Sequence, residues 1–161
     1  MQKRKFDNGF TMIEMLVVIA IIAILSTIAL PSFEFKNVRA QTVESVDLIK
    51  NLKDSINLFY MGQHKFPRNN LQAGIPKPEQ LIGNYVQRID FENGAFQITF
   101  GNNVNAKLKD KILSIRPIVV KDSPESPISW LCGNARVPDG MIAVGENKTN
   151  IPNSYLPMNC F

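Results

Sequence analysis

The sequence contains one histidine and two cysteines in 161 residues. So few ligand-type side chains exclude a multi-histidine metal site, a four-thiolate zinc site and a disulfide-dense mini-protein, and they disfavour a Ser-His-Asp triad. A Gly-rich phosphate loop, a catalytic carboxylate pair and a CxxC redox motif are also absent from the sequence. We therefore predict a protein that is not an enzyme and that carries neither a cofactor nor a metal.

What the sequence does contain is typical of one globular domain. Its mass is 18.1 kDa, 45% of its residues are hydrophobic and 20% are charged. These values exclude a disordered chain, and ten prolines without a period exclude collagen. The net charge of +4 is too small to predict nucleic-acid binding by itself.

The apolar residues are concentrated near the N-terminus, in residues 10–30. The non-apolar side chains in this run are Thr11, Glu14, Ser26 and Thr27. A helix needs about 20 apolar residues to cross a bilayer, so the run is long enough to span one. The basic residues Lys3, Arg4 and Lys5 precede the run and predict a cytoplasmic N-terminus, with the rest of the chain on the far side.

Three interpretations of this segment compete: a cleaved signal peptide, a plain membrane anchor, and a segment that binds another chain. The run is longer than the roughly 7–15 apolar residues of a signal peptide. Glu14 favours the third interpretation, because a carboxylate in a membrane-spanning helix is costly and indicates a function by default. Residues 10–31 contain no lysine or arginine, so the helix cannot neutralise Glu14 by itself.

The residues NGFTMIE at positions 8–14, followed by the apolar run, resemble the class III signal of type IV pilins and pseudopilins. The family pattern is a short basic leader, a glycine, Phe-Thr, two hydrophobic residues, a glutamate and a long apolar stretch. Two departures are Met15, where leucine is commoner, and Ala23, where many members have glycine.

The resemblance implies specific processing and assembly roles. A prepilin peptidase would cut between Gly9 and Phe10, the new amine of Phe10 would be N-methylated, and Glu14 would pair with the Phe10 amine of a neighbouring subunit. The implied partners are other pilin subunits, the peptidase, the inner-membrane assembly platform, and membrane lipid before assembly. The implied location is the inner membrane with the head in the periplasm, and afterwards a cell-surface pilus.

A helical pattern continues beyond Pro31, where we expect a kink, and predicts one helix over residues 10–61. The predicted buried stripe of its second half contains Phe35, Val38, Val43, Val46, Ile49, Leu52, Ile56, Phe59 and Tyr60. Gln41 is expected on the opposite, polar face, Asp47 is expected to pair with Lys50, and Gly62 is expected to cap the helix.

Short alternating segments after residue 79 predict an antiparallel sheet of about four strands. The expected strands lie near residues 81–91 (or from about Tyr85), 95–100, 111–120 and 128–131, and Pro117 predicts an edge or a bulge in the third. A helix followed by strands predicts an α+β fold. The type IV pilin fold that the resemblance implies is of this kind, with a long N-terminal helix packed on an antiparallel sheet and a disulfide-closed C-terminal region.

Cys132 and Cys160 are expected to form a structural disulfide, because a domain exported across a membrane meets an oxidising environment. The segment ISWLCG at residues 128–133, with a penultimate cysteine, resembles the head of type IVa pilins. In that family the two cysteines bracket a surface-exposed D-region, which here is residues 132–160.

Six cations could form a basic patch for DNA or acidic surfaces, although a solvated face is the simpler interpretation: Lys65, Arg68, Lys77, Lys107, Lys109 and Lys111. The last three alternate and would share one face of a strand. His64 is expected on the surface and Trp130 against the disulfide or the core. Asn147-Lys148-Thr149 fits the N-glycosylation pattern, but this pattern has little predictive value in a protein of bacterial type.

We expect four regions: a leader (residues 1–9), a transmembrane or fibre-core half-helix (10–31), an amphipathic half-helix (32–61) and a globular head (62–161). The first functional hypothesis is a structural subunit of a type IV pilus that serves adhesion, twitching motility or DNA uptake, as the resemblance implies. The alternatives are a minor pilin that binds DNA or a surface, and a pseudopilin of a type II secretion system.

Overall fold

The computed structural model describes residues 9–161, except for the side chains of residues 29–32. Residues 1–8, with Lys3, Arg4 and Lys5, lie outside the described residues, and so does the side chain of Pro31. The helices and strands follow in the order α1 (Met12–Asp47), α2 (Lys50–Gln63), β1 (Val86–Glu92), β2 (Ala95–Phe100), β3 (Ile112–Val120), β4 (Ser129–Cys132) and β5 (Met141–Ala143). Helices come first and strands follow, which confirms the predicted α+β fold.

Of the described residues, 9–35 belong to a unit of their own. This part of α1 is long and apolar enough to cross a membrane, judged by length and composition. Its apolar side chains point in all directions and stay uncovered; Ile13, Leu16 and Ile28 are all at least 60% exposed. Such a surface needs either lipid or another chain against it.

The helical pattern is interrupted once, so the prediction of one helix over residues 10–61 is wrong. The amide of Ile49 bonds the carbonyl of Val46 at 3.3 Å, which closes a tighter turn than that of an α-helix. This turn keeps Ile49 fully buried while Leu48 is 43% exposed. The interruption therefore keeps the apolar stripe of α2 in line with the core.

The end of α2 also differs from the prediction. The helix runs past Gly62 to Gln63, and His64 supplies the cap with a left-handed φ of 51°. The His64 amide bonds the Tyr60 carbonyl at 2.7 Å. The predicted ion pair at the end of α1 is confirmed, since Lys50 Nζ lies 3.4 Å from the Asp47 carboxylate, but it is solvent-exposed and contributes little stability.

The second unit, Lys36–Phe161, holds one hydrophobic core. The helices contribute Val38, Ile49 and Ile56, and the sheet contributes buried residues from all of β1, β2 and β3, such as Phe91, Phe96, Ile98, Phe100, Leu113 and Ile115. The helix stripe and the inner sheet face thus bury each other. Burial of apolar surface at about 25 cal/mol per Å² is the dominant stabilising contribution in such a core.

Three helix positions depart from the predicted stripe. Phe35 and Val43 were expected to be buried but are 43% and 46% exposed. Gln41 was expected on the polar face but is only 8% exposed. Its Oε1 accepts a hydrogen bond from the amide of Asn105 at 2.9 Å. This bond replaces the hydrogen bond to water that the side chain loses on burial.

The sheet has five antiparallel strands in the order β1-β2-β3-β4, with β5 also paired to β3. A turn at Asn93-Gly94 connects β1 to β2, and the two residues adopt positive φ angles of 46° and 102°. β1 starts at Val86, next to the predicted alternative start near Tyr85, and β5 was not predicted. β5 has only three residues, too few to produce an alternating pattern.

Pro117 lies in the middle of the sheet, so the prediction of an edge strand is wrong. Ile115 and Ile118 both pair with β4, while the opposite side of β3 is shared by β2 and then β5. Pro117 sits where β2 ends and β5 begins, and its carbonyl accepts the Val144 amide at 2.9 Å. The missing N–H of proline therefore falls at a changeover between two partner strands.

Candidate functional site

Thr11 and Glu14 form a reciprocal hydrogen-bonded pair at the start of α1. The Thr11 amide and hydroxyl both donate to Glu14 Oε2, and the Glu14 amide donates to Thr11 Oγ1, each at 3.3 Å. This arrangement is a capping box, which satisfies backbone N–H groups that a helix start leaves free. Thr11 was not among the predicted site residues, although its spacing of three residues from Glu14 is the sequence signature of such a cap.

Gly9 and Phe10 precede the helix in a non-helical, exposed stretch. Phe10 is 78% exposed. Nothing lies within 4 Å of the place that a Cβ at Gly9 would occupy, so the folded chain does not itself require glycine there. A requirement for glycine at this position would have to come from another molecule that contacts it.

The other polar side chains of the apolar segment are satisfied within the helix. Ser26 Oγ donates to the Ile22 carbonyl and Thr27 Oγ1 donates to the Ile24 carbonyl, both at 2.7 Å. Glu14 is the one charged residue between positions 10 and 31. Its carboxylate is therefore the group in this segment whose burial most needs a partner of opposite charge.

The Cys132–Cys160 disulfide closes the C-terminal end of the head. It joins the end of β4 to a 3₁₀ turn at Met158–Cys160, with 4.5 Å between the two Cα atoms. The Asn134 amide bonds the Cys160 carbonyl at 2.8 Å. A Cβ at Gly133, where φ is +53°, would lie 2.9 Å from the same carbonyl oxygen, so the chain end packs directly on the backbone of the turn after β4.

Two family models match this sequence, one at its N-terminal apolar segment and the other over the disulfide-closed head. The model described as Pilin (bacterial filament) matches residues 38–161, and the model described as prokaryotic N-terminal methylation motif matches residues 4–30. A type IV major pilin protein of Neisseria gonorrhoeae is 34% identical over 160 residues, which are 96% of this chain and 87% of the relative. The chain belongs to the bacterial pilin family.

Other relatives of this pilin agree. A fimbrial protein of Neisseria meningitidis serogroup A is 32% identical over 163 residues, covering 96% of this chain and 94% of the relative. A type IV major fimbrial protein of Dichelobacter nodosus is 34% identical over 108 residues, covering 66% and 67%. The resemblance stated for the signal and for the head is thus confirmed over nearly the whole chain, and the protein is a structural pilin.

The D-region of the pilin is attached to the sheet by two buried polar residues, which sequence reasoning missed. The Ser114 hydroxyl donates to Gln97 Oε1 at 2.6 Å and accepts the Lys148 amide at 2.7 Å. Gln97 Nε2 donates to the Glu146 carbonyl at 3.0 Å. Both side chains sit in alternating strand patterns, where a polar residue normally indicates a solvent face, so the sequence carried no signal of their burial.

The glycosylation-like triplet takes part in the same attachment. Thr149 Oγ1 accepts the Ser114 amide at 3.0 Å, and Asn147 Oδ1 accepts the Thr149 amide at 3.1 Å. Asn147 Nδ2 donates to Asn134 Oδ1 at 3.1 Å. The polar side chains of the triplet therefore have structural hydrogen bonds in the pilin head.

The six predicted patch cations do not lie together. Lys65 and Arg68 line one cavity, while Lys77 lines a neighbouring one that also borders Arg68. Lys107 and Lys109 lie in turns before β3 rather than in a strand, so their predicted common strand face is wrong. Lys107 Nζ lies 5.6 Å from the centre of the Tyr155 ring, a cation–π contact on another part of the head.

The remaining predicted residues fall in plain structural settings. His64 is exposed, and its Nε2 lies 3.8 Å from the Glu125 carboxylate. Trp130 packs against the core, with its ring centre 5.5 Å from that of Phe96. Within residues 9–161, the structure contains no group of His, Cys, Asp or Glu side chains that could hold a metal ion.

Proposed function

We propose that this pilin is a structural subunit of a type IV pilus, held in a membrane by α1 before assembly and packed against other subunits afterwards. The observation that carries the proposal is the uncovered apolar surface of residues 10–28, which is interrupted by one charge, Glu14. Lipid can cover this surface in the unassembled subunit, and the apolar helices of neighbouring subunits can cover it in a fibre. The relatives named as type IV pilins and fimbrial proteins support the same function.

The proposed processing is cleavage between Gly9 and Phe10, followed by N-methylation of the new amine. The match of residues 4–30 to an N-terminal methylation motif supports it, as does the exposed, non-helical backbone at the junction. Proteases cut most easily in exposed segments without regular secondary structure, and this stretch is one. The proposed regions remain a leader (1–9), a fibre-core half-helix (10–31), an amphipathic half-helix (32–61) and a head (62–161).

In the proposed assembly step, Glu14 exchanges its contact with Thr11 for the Phe10 amine of a neighbouring subunit. The three capping bonds are long at 3.3 Å, and a cap of this kind is worth about 1 kcal/mol. A buried carboxylate without a cation costs more than that, whereas a cation within contact distance offsets most of the cost. The pair would therefore set the axial register of subunits.

The proposed location follows from charge. Lys3, Arg4 and Lys5 on the N-terminal side of the apolar segment support a cytoplasmic location of that end, because cytoplasmic flanks of membrane helices carry an excess of basic residues. The head then lies in the periplasm before assembly at an inner-membrane platform, and on the cell surface afterwards. Because two of the relatives are named as major pilins or major fimbrial proteins, we propose that this subunit is the abundant one.

N-terminal sequencing and intact mass of the membrane-bound protein test the processing. The mature chain is expected to start with N-methylated Phe10 and to retain its apolar helix. A mature chain that starts near residue 30 would instead mean removal of an ordinary signal peptide, and it would refute the proposal. The amount of this pilin in a sheared surface fraction tests whether it is the major subunit.

Substitutions at the capping box test the assembly step. Glu14→Gln keeps an oxygen that can accept the Thr11 amide but removes the charge, whereas Thr11→Val keeps the charge and removes the hydroxyl. We expect Glu14→Gln to lower fibre yield sharply with a folded, membrane-inserted subunit, and Thr11→Val to have a much smaller effect. Homopolymeric fibres of Glu14→Gln at the wild-type yield would show that charge pairing is not required.

A further inference from the structure

A polar cavity lies between the end of α2 and the loop that follows it. It has a volume of about 290 Å³, is partly open to solvent, and is lined by two cations, two amides and two aromatic rings: Phe59, Gln63, Lys65, Phe66, Arg68 and Gln72. The two larger cavities of the head have carboxylates in their linings, Glu125 in one and Asp90 with Glu92 in the other. This cavity has two cations and no carboxylate in its lining, although Arg68 also borders the cavity that contains Asp90 and Glu92.

The two cations of the cavity are not neutralised within the head. Among residues 9–161, no carboxylate lies within ion-pair distance of Lys65 or Arg68. Like charges that border one cavity repel each other, and an anion placed between them is attracted by both. A bound anion would therefore offset the repulsion between Lys65 and Arg68.

The backbone around Arg68 is held in place. The Arg68 amide donates to Gln72 Oε1 at 2.7 Å, and the Arg68 carbonyl accepts the Asn93 amide at 3.0 Å. The Gln72 amide in turn donates to Asn69 Oδ1 at 2.9 Å. Since the Gln72 oxygen is used by the loop, its Nε2 group is left as a donor for a ligand.

The aromatic part of the lining is also fixed. The Phe66 ring stacks on Tyr60, with ring centres 4.5 Å apart and planes 26° apart. Tyr60 itself is 8% exposed and belongs to α2, so Phe66 is supported by the helix. A fixed aromatic wall loses less conformational entropy on binding than a flexible loop does, whereas the four polar side chains of the lining are exposed to solvent.

We propose that this cavity binds one acidic sugar unit, carrying sulfate or carboxylate, of a polysaccharide. Lys65 and Arg68 would contact the acidic group, the amides of Gln63 and Gln72 would bond hydroxyl groups, and Phe59 would pack against the apolar C–H face of the ring. The volume lies just below the roughly 300–1,000 Å³ of ligand pockets, which suits one sugar unit. A nucleic acid fits less well, because its affinity depends on many phosphate contacts and Lys107 and Lys109 lie elsewhere.

Fluorescence anisotropy of a labelled heparin tetrasaccharide, with the full-length pilin in non-ionic detergent at low salt, tests the proposal. The double substitution Lys65→Gln with Arg68→Gln is compared with Lys109→Gln and Lys121→Gln, which removes the same charge from exposed positions outside the cavity. We expect the first pair to weaken binding at least about tenfold, as for the loss of charge-assisted hydrogen bonds, and the second by less than about twofold.

A second variant separates charge from loop structure. Gln72→Glu keeps an oxygen for the Arg68 amide but adds a negative charge to the cavity, so it should abolish binding while circular dichroism stays unchanged. Equal weakening by both double substitutions would mean diffuse attraction by net charge and would overturn the proposal. A single-stranded oligonucleotide of equal charge that binds as tightly, and loses affinity in the same variants, would overturn the saccharide assignment.

Discussion

Substitution of Asn70 is predicted to destabilise the loop beside the cavity that Lys65 and Arg68 line. Its side chain hydrogen-bonds to the backbone at the unpaired edge of β1, as a neighbouring strand would. Asn70 Nδ2 donates to the Ile89 carbonyl at 3.1 Å and to the Pro76 carbonyl at 2.9 Å, and Asn70 Oδ1 accepts the Phe91 amide at 2.7 Å. Asn70→Ala removes all three bonds at once.

The magnitude follows from burial. Asn70 is 6% exposed, and Ile89 and Phe91 are each 1% exposed, so water does not easily replace the lost bonds. A hydrogen bond contributes about 1 kcal/mol net, and a buried donor or acceptor left unpaired costs about 1–3 kcal/mol. We therefore expect Asn70→Ala to lower the free energy of unfolding by roughly 2–4 kcal/mol, a large part of the 5–15 kcal/mol typical of a domain.

Asn69→Ala is the matched control, because Asn69 is the adjacent, exposed asparagine and its side chain accepts one bond, from the Gln72 amide at 2.9 Å. We expect it to cost less than about 1 kcal/mol, since water can replace the bond. Urea unfolding followed by the fluorescence of Trp130 measures both values, and hydrogen exchange measures protection of the Phe91 amide. Equal destabilisation by the two variants, or unchanged protection of the Phe91 amide in Asn70→Ala, would refute the reasoning.

Three further predictions concern the D-region and its attachment. Cys132→Ser should cost about 2–5 kcal/mol and raise hydrogen exchange mainly in residues 133–159; uniform loss of protection over the head would contradict a local role. Gly145→Ala should destabilise strongly, because φ is +85° and a Cβ would lie 2.6 Å from that of Ala95, whereas Gly74→Ala, with φ +66° and open space, should cost less in the same urea titration. The hydrogen bond to Glu92, and then the charge of Glu92, raise the pKa of Lys148 above its ordinary value of 10.5. The stability that this pair adds is therefore present below pH 10.5 and is lost as pH rises through the raised pKa. Lys148→Met should abolish this alkaline loss in thermal melts, and an unchanged pH profile would exclude the pair as its cause.

The N-terminal segment was predictable from sequence because its properties are local. Contiguous apolar residues determine whether a helix can lie in lipid, and one carboxylate among them stands out without any knowledge of the fold. The Thr11–Glu14 capping box also depends only on a spacing of three residues. The roles of Gly9, Phe10 and Glu14 in processing and assembly remain predictions, since they involve other molecules.

The strands were predictable where one face is apolar, as in β2, where Phe96, Ile98 and Phe100 alternate and are all fully buried. The pairing of Cys132 with Cys160 was also accessible, because the chain has no other cysteine. The order and partners of the strands were not. Pro117 predicted an edge or a bulge, and only the position of β5 beside β3 explains why a proline is tolerated within the sheet.

Tertiary structure alone decided which polar residues are buried and which cations meet. Gln41 is buried because its oxygen bonds the amide of Asn105, and Ser114 is buried because it bonds Gln97 and the D-region. Lys65 and Arg68 border one cavity, whereas Lys107 and Lys109, which the sequence analysis grouped with them, lie in turns before β3. A hydrophobic pattern records which side of an element faces away from water, but a hydrogen bond between residues 64 positions apart leaves no periodic trace in the chain, so only the folded head reveals it.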